Sequence, residues 1–399
     1  MKKIQILSLT GLFLFGLAAH SAQAANYSEL LEQVMQKQPE QMSLNAFGEV
    51  EDEASSAANS LFSGNTNIVI AHENDAMTGD LEKTKWHIGA EFPLWLPGQA
   101  DSQQRLAHGY ADLKNEQIQF LKWQASGQLR DLVWMYREAQ IQADIAEKSV
   151  AQVTQLHTLI SKLVRVGEKP KIDALMAEKL LLSAQAHLLS MKSQLATVQK
   201  QYQSWTGTVD LPMPLTEKVG SYDIDTHPEL SKLNAELAIL KAELATLKSS
   251  QKDNPVLSVG GFREEDRAMS ANTSLFAQLS YPIGSSPSKK VDTAKQNTLV
   301  LGKEAAIKRY QIELKNRLYA SEQALELAKN KLTMSVQNMQ LAEQTLQLAQ
   351  QAYQVGESNI QTLVNAQQNF LESKLQQALT QVEMASAIAN RNQIAGVSL

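Results

Sequence analysis

Residues 85–94, Lys-Trp-His-Ile-Gly-Ala-Glu-Phe-Pro-Leu, carry apolar side chains on one parity and polar or small ones on the other. Trp86, Ile88, Ala90, Phe92 and Leu94 alternate with Lys85, His87, Gly89 and Glu91, the two-residue period of a strand with one apolar and one wet face. The parity returns 189 residues later in Leu275, Ala277, Leu279, Tyr281 and Ile283, with Gln278 and Ser280 between them. Shorter upstream runs keep it as well, Ile68 and Ile70 answering Leu257 and Val259. Two strand hairpins are therefore predicted, at about 66–95 and 255–283. Their connections carry Asp75, Asp80, Glu82, Glu264, Glu265 and Asp266 and read as exposed acidic loops.

The offset of 189 holds well beyond the strands. Pro39 and Pro228, Pro93 and Pro282, Asn65 and Asn254, and Val166-Gly167-Glu168 and Val355-Gly356-Glu357 all obey it without a gap. A period this long is two copies of one large unit rather than a short solenoid repeat. The copies span 25–206 and 227–399, and the Pro- and Gly-bearing stretch 207–226 links them.

After each hairpin come long segments without Pro, rich in Leu, Ala, Gln, Lys and Glu, which are good helix formers. Helices are expected at about 98–165 and 172–205 in the first copy and at 290–354 and 360–394 in the second, with a shorter one at 227–251. At 1.5 Å per residue the longest is ~100 Å. Leu180, Ala184, Leu188, Met191 and Leu195 form a packing stripe in one, and Leu341, Leu346, Leu348 and Ala352 in another. Helices of this length need partners along their sides, as in coiled coils.

Met1-Lys2-Lys3, an apolar run and Ala22-Gln23-Ala24 have the form of a secretory signal over 1–24. Without Lys2 and Lys3, 35 basic residues face 42 acidic ones, which disfavours nucleic acid as a partner. There is no cysteine, hence no disulfide and no thiolate metal site. No later apolar run reaches the ~18 residues of a membrane-spanning helix, so a membrane role would fall to the strands, whose 9–11 residues suit a tilted crossing. Histidines 72, 87, 108, 157, 187 and 227 lack metal-ligand spacing; no metal or cofactor is expected. No nucleophile elbow, zinc-protease, P-loop or dinucleotide motif occurs in a suitable context, so no enzyme is expected.

His227-Pro228-Glu229-Leu230 opening a helix, Phe92 to Gln99 (Phe-Pro-Leu-Trp-Leu-Pro-Gly-Gln) after a strand, Ser280-Tyr281-Pro282-Ile283 and the two Val-Gly-Glu turns, taken in this order and duplicated, resemble the TolC-like outer-membrane efflux proteins from about Pro39 to Gly396. The fold class implied is an α+β membrane protein, a homotrimer whose twelve-stranded β-barrel, four strands per chain, continues into a long antiparallel α-helical tunnel. The implied place is the outer membrane of a Gram-negative bacterium, with the helices in the periplasm and the barrel against outer-membrane lipid. The implied partners are a periplasmic adaptor and an inner-membrane pump. The stretch Phe92 to Gln99 is similar to the heavy-metal branch, which points to metal resistance, with drugs as the other cargo.

The resemblance also implies site residues. Gly167 and Gly356 would turn the chain at the periplasmic tip, and Asp173 and Tyr353 match positions that hold such a tip closed. Asp173 equally suits a helix start, and Tyr353 ordinary packing. The family's Arg two residues after the second Gly is Ser358 here, and its two pore carboxylates are Thr362 and Asn365. Arg165, Lys169 and Lys171 make the first turn basic, as solvated charges or as an adaptor contact. Pro93 and Pro282 end strands, and Trp86, Phe92, Trp95 and Tyr281, together with Phe262, are candidates for the membrane interface. Two other functions fit the sequence: the duct of a type I protein secretion system, and a periplasmic structural coiled-coil protein.

Overall fold

The computed structural model describes residues 26–399 apart from 78, 80, 81, 269, 285 and 286. The expected signal and Asp80 lie outside the described residues. Along the chain come α1 (Tyr27–Gln36), α2 (Gln41–Ala58), β1 (Asn67–Asn74), β2 (Thr84–Pro93), α3 (Gln99–Arg165) and α4 (Lys171–Thr206). A linker with one 3-10 turn follows, then α5 (Pro228–Ser249), β3 (Val256–Glu265), β4 (Asn272–Ser280), α6 (Pro287–Gln354) and α7 (Ile360–Ile394). At the offset of 189, β1 and β3 start together, α3 and α6 end together, and α4 and α7 start together. The helix α1 has no counterpart in the second half.

The strands form one antiparallel sheet in the order β1-β2-β3-β4. The two copies join through β2 and β3, where Ile88 faces Gly261 and Gly89 faces Gly260. Two expectations need correction. Glu264 and Glu265 belong to β3 rather than to a loop, and Lys83 pairs with Glu264 at 2.6 Å. Tyr281, Pro282 and Ile283 lie beyond β4, whose last rung pairs Ser280 with Val256. The next pair able to bond along that edge would include Pro282, which has no N–H to continue the ladder. Pro93, by contrast, is the last residue of β2.

The long helices pair as coiled coils, α3 with α4 and α6 with α7, and α3 lies against α7. Buried Leu314, Leu318, Ser321, Leu325, Ala328, Ser335, Ala342, Leu346, Ala349 and Tyr353 follow the three-four spacing of a heptad seam, which keeps one stripe facing a partner over many turns. Leu341 and Leu348 are not on that seam; they are 62% and 66% exposed. They belong to a second stripe, Leu327, Met334, Leu341, Leu348 and Val355, at strict seven-residue intervals and uncovered throughout. Leu175, Leu182 and Leu189 repeat the pattern on α4.

Midway along, the linker and the C-terminus are tied to α3. The buried Arg130 guanidinium donates to both carboxylate oxygens of Glu217, at 2.9 and 2.8 Å, and to the Val397 carbonyl at 2.9 Å. Asn392 holds Gly220 N–H and the Lys218 carbonyl. Beside this knot, His227 caps α5: its Nδ1 accepts from the Glu229 amide at 3.2 Å. Trp123 stands edge-on to its ring at 5.0 Å and Tyr310 lies at 5.9 Å, while the Tyr310 hydroxyl donates to Glu229.

Burial, with Arg317 nearby, lowers His227 from an ordinary value of 6.5 to about 4. The unfolded chain therefore takes up a proton below pH ~6.5 that the folded chain refuses until pH ~4. Stability is full above the upper value, falls by roughly 3 kcal/mol between the two and is level below. His227→Asn, which still caps the helix but does not titrate, is expected to remove this component from the pH dependence of the melting midpoint in detergent.

Candidate functional site

The sheet separates two surfaces by register. Ile68, Ile70, Trp86, Ile88, Leu275 and Leu279 share one face and are all at least half exposed. The other face carries Glu73, His87, Glu91, Ser258 and Gln278 along a groove of about 630 Å³. Phe262 lies on this polar side, not on the apolar one: its ring is 5.5 Å from that of His87, and Lys85 Nζ sits 4.2 Å from its centroid. Trp86 and Tyr281 stand open to the surroundings, 54% and 55% exposed. Phe92 packs on Phe62 and Trp95 donates its indole N–H to the Ser60 carbonyl, so the segment after α2 partly covers both.

At the Gly89–Gly260 rung two strand backbones and an aromatic ring approach closely. A Cβ on Gly260 would stand 2.7 Å from Gly89 Cα, and the Phe276 ring lies directly over the pair. Glycine is required there because a neighbouring backbone and an aromatic face occupy the space of a side chain. His87 lies near Glu73, with 3.7 Å between Nε2 and Oε1. Among the described residues no group of three His, Asp or Glu side chains is arranged to hold a metal ion.

At the opposite end of the molecule both hairpins turn through glycine, Gly167 and Gly356 each at φ +83°, a conformation other residues adopt at a cost. Here the structure brings Asp173 and Tyr353 together. The Tyr353 hydroxyl donates to Asp173 Oδ2 at 2.6 Å, with both side chains buried. Burial and then the carboxylate push the phenol well above its ordinary value, so it stays a donor at any pH the tip meets. Ile160, Ala177, Leu346, Ile360 and Leu363 pack around them.

Thr362 and Asn365 are not part of this contact. Thr362 bonds through its N–H and hydroxyl to Asn359, the cap of α7, and Asn365 accepts from Gln361; both are exposed. Arg165 and Lys171 are solvated, whereas Lys169 reaches the Tyr353 carbonyl at 2.7 Å. Its basic neighbours hid this residue in the sequence; the offset offered a signal, since Lys169 falls opposite Ser358.

No protein-family model and no curated protein matches the chain in sequence. Solved structures do match it over nearly its whole length. The outer-membrane channel OprN superposes with a TM-score of 0.73 at 16% identity, covering 93% of this chain and 90% of its own. CusC, whose structures concern transmembrane channel formation, gives 0.71 at 12%, covering 94% and 95%. The outer membrane protein VceC from Vibrio cholerae gives 0.71 at 11%, covering 93% and 96%. The chain has the fold of the TolC-like outer-membrane efflux channels.

Within the TolC-like fold the apolar sheet face and the Gly167–Gly356 end stand at opposite ends of the chain, and the close approach at Gly260 underlies the first of them. Gly260→Ala is expected to cost roughly 1–3 kcal/mol by overpacking, lowering the urea midpoint of the micelle-refolded protein. Gly302→Ala, on an open stretch of α6 where a Cβ meets nothing, is expected to leave it unchanged or slightly raised.

Proposed function

We propose that this chain is the outer-membrane subunit of a tripartite efflux system, a passive duct gated at its periplasmic tip. The carrying observation is the sheet: its apolar face is uncovered, and β1 and β4 present unpaired edges. In water such a surface is a liability; in a closed barrel within lipid both features are satisfied.

Four strands cannot close a barrel, and joining β4 of one copy to β1 of the next closes twelve in a homotrimer. The helices support the same assembly. The uncovered heptad stripes on α6 and α4 lie on two different helices, so a head-to-tail ring covers both, which is the geometry of a heterologous interface that closes. The wall so formed is a helical tunnel in the periplasm, and the cargo crosses it without covalent chemistry.

An adaptor and an inner-membrane pump supply the energy and meet the tip. The likeness of Phe92 to Gln99 to the heavy-metal branch favours metal cations over drugs as cargo. A protein-secretion duct has the same wall, and the nature of the neighbouring pump separates the two. A soluble coiled-coil protein has no use for the two-faced sheet.

Single cysteines carrying a fluorophore at Ile68, Ile70, Ile88, Leu275 and Leu279 are expected to be quenched by lipid-borne quenchers. Those at Val69, His87 and Gln278 are expected to respond only to water-soluble ones. Loss of this two-residue rhythm in reconstituted protein removes the pore reading.

The tip contact is the gate in this reading. A buried hydrogen bond to a carboxylate is worth about 1.5–3 kcal/mol, so Tyr353→Phe or Asp173→Ala shifts the closed-to-open balance by roughly one to two orders of magnitude. Single-channel recording should show a higher open fraction for both variants.

A further inference from the structure

Asp173 holds only one end of Tyr353. The other end is held by Lys169, from the turn between α3 and α4. Its Nζ donates to the Tyr353 main-chain carbonyl at 2.7 Å and stands 4.4 Å from the centroid of the Tyr353 ring. The ammonium thus makes a cation–π contact with the ring and neutralises a carbonyl at the C-terminal end of α6, where positive charge is favoured. Asp173 fixes the hydroxyl and Lys169 fixes the ring face and backbone. Two separated points fix the orientation of the side chain, which one hydrogen bond does not.

The internal duplication shows that this grip is one-sided. At the offset of 189, Lys169 falls on Ser358, Asp173 on Thr362 and Tyr353 on Val164. The reciprocal contact therefore has neither a cation nor a carboxylate on the second hairpin and no phenol on the first. The Ser358 hydroxyl is buried without a partner, and Thr362 turns to Asn359. The first hairpin carries the clamp and the second carries the ring it holds, so each protomer has one latch where pseudo-symmetry would allow two.

We infer that Lys169 is a third gate residue, a cationic clamp that with Asp173 grips Tyr353 and keeps the two hairpins of a protomer together at the tip. This inference rests on the reading of the tip as the gate. Opening the tip then requires the first hairpin to release both ends of Tyr353 together. Lys169 is half-buried, so it is accessible to solvent at the moment of release.

The test is single-channel recording of the full-length protein in planar bilayers, with helical melts and detergent-resistant oligomers checked for every variant. Lys169→Met keeps the length of the stem but not the charge. It is expected to raise the open fraction to within about threefold of Tyr353→Phe; because Phe keeps the ring and the carbonyl that Lys169 touches, the double variant is expected to open more than either single variant. Lys169→Arg, which can serve both the carbonyl and the ring, is expected to restore the wild-type open fraction, a rescue that a merely packing role for the stem does not provide.

Should Lys169→Met fail to assemble, Lys169→Gln is recorded in its place. If the charge-removing variant gates as wild type while Tyr353→Phe opens, the clamp is wrong and the gate stands. A double variant that opens no more than Tyr353→Phe alone also sinks the clamp. If Tyr353→Phe itself leaves gating unchanged, the gate reading fails and takes the clamp with it.

Discussion

The constraint from which the rest follows is geometric: a helix of 67 or 68 residues has far more flank than one chain can cover. A helix closes its own backbone hydrogen bonds, so the problem lies wholly in its side chains. α6 uses one heptad seam inside the chain, whereas α3 is covered on several sides midway along its length. On α6 and α4 a second seam remains, at an interval of seven residues, with nothing against it. In the proposed assembly these helices form a wall one helix thick, which closes into a ring.

The sheet meets a parallel constraint at the other end. Four strands with unpaired outer edges and one apolar face have no interior of their own. In the proposed trimer lipid satisfies the face and neighbouring copies satisfy the edges. Between these two incomplete halves sits a compact knot: Arg130, Glu217, Asn392 and His227 tie the linker, the C-terminus and the second copy's first helix to α3. Breaking a buried pair such as Arg130–Glu217 by removing one member would leave an uncompensated charge. The knot therefore ties the middle of the chain together between the sheet at one end and the glycine turns at the other.

The tip shows how a duplicated unit acquires a function that neither copy holds alone. Both turns keep Val-Gly-Glu and the same glycine conformation. The side chains around them have diverged, so that a phenol on one hairpin meets a carboxylate and an ammonium on the other. Burial keeps the phenol a donor, well above its ordinary titration range. In the proposed gate the contact is broken by displacement of a hairpin.

Periodicity and the offset of 189 carry the signals of the long helices, the hairpins and the partition of the sheet into apolar and polar faces, but not the bounds of α1 and α2. Those features are local: parity, glycine turns and helix-forming composition act within a few residues and are written along the chain. Contacts between distant residues are not local. That Leu341 and Leu348 stand on an open stripe while Ala342 and Leu346 fill the inner seam depends on which way α6 is rotated against α7, and both stripes look alike in the sequence. Phe262, by contrast, stands on the polar side because its parity is opposite to that of Leu257 and Val259, a reading the sequence already offered. Only the tertiary structure brings Lys169 to Tyr353, across a separation of 184 residues, because the meeting is set by how two ~100 Å coils lie against each other at their far ends and by nothing in the residues beside either one.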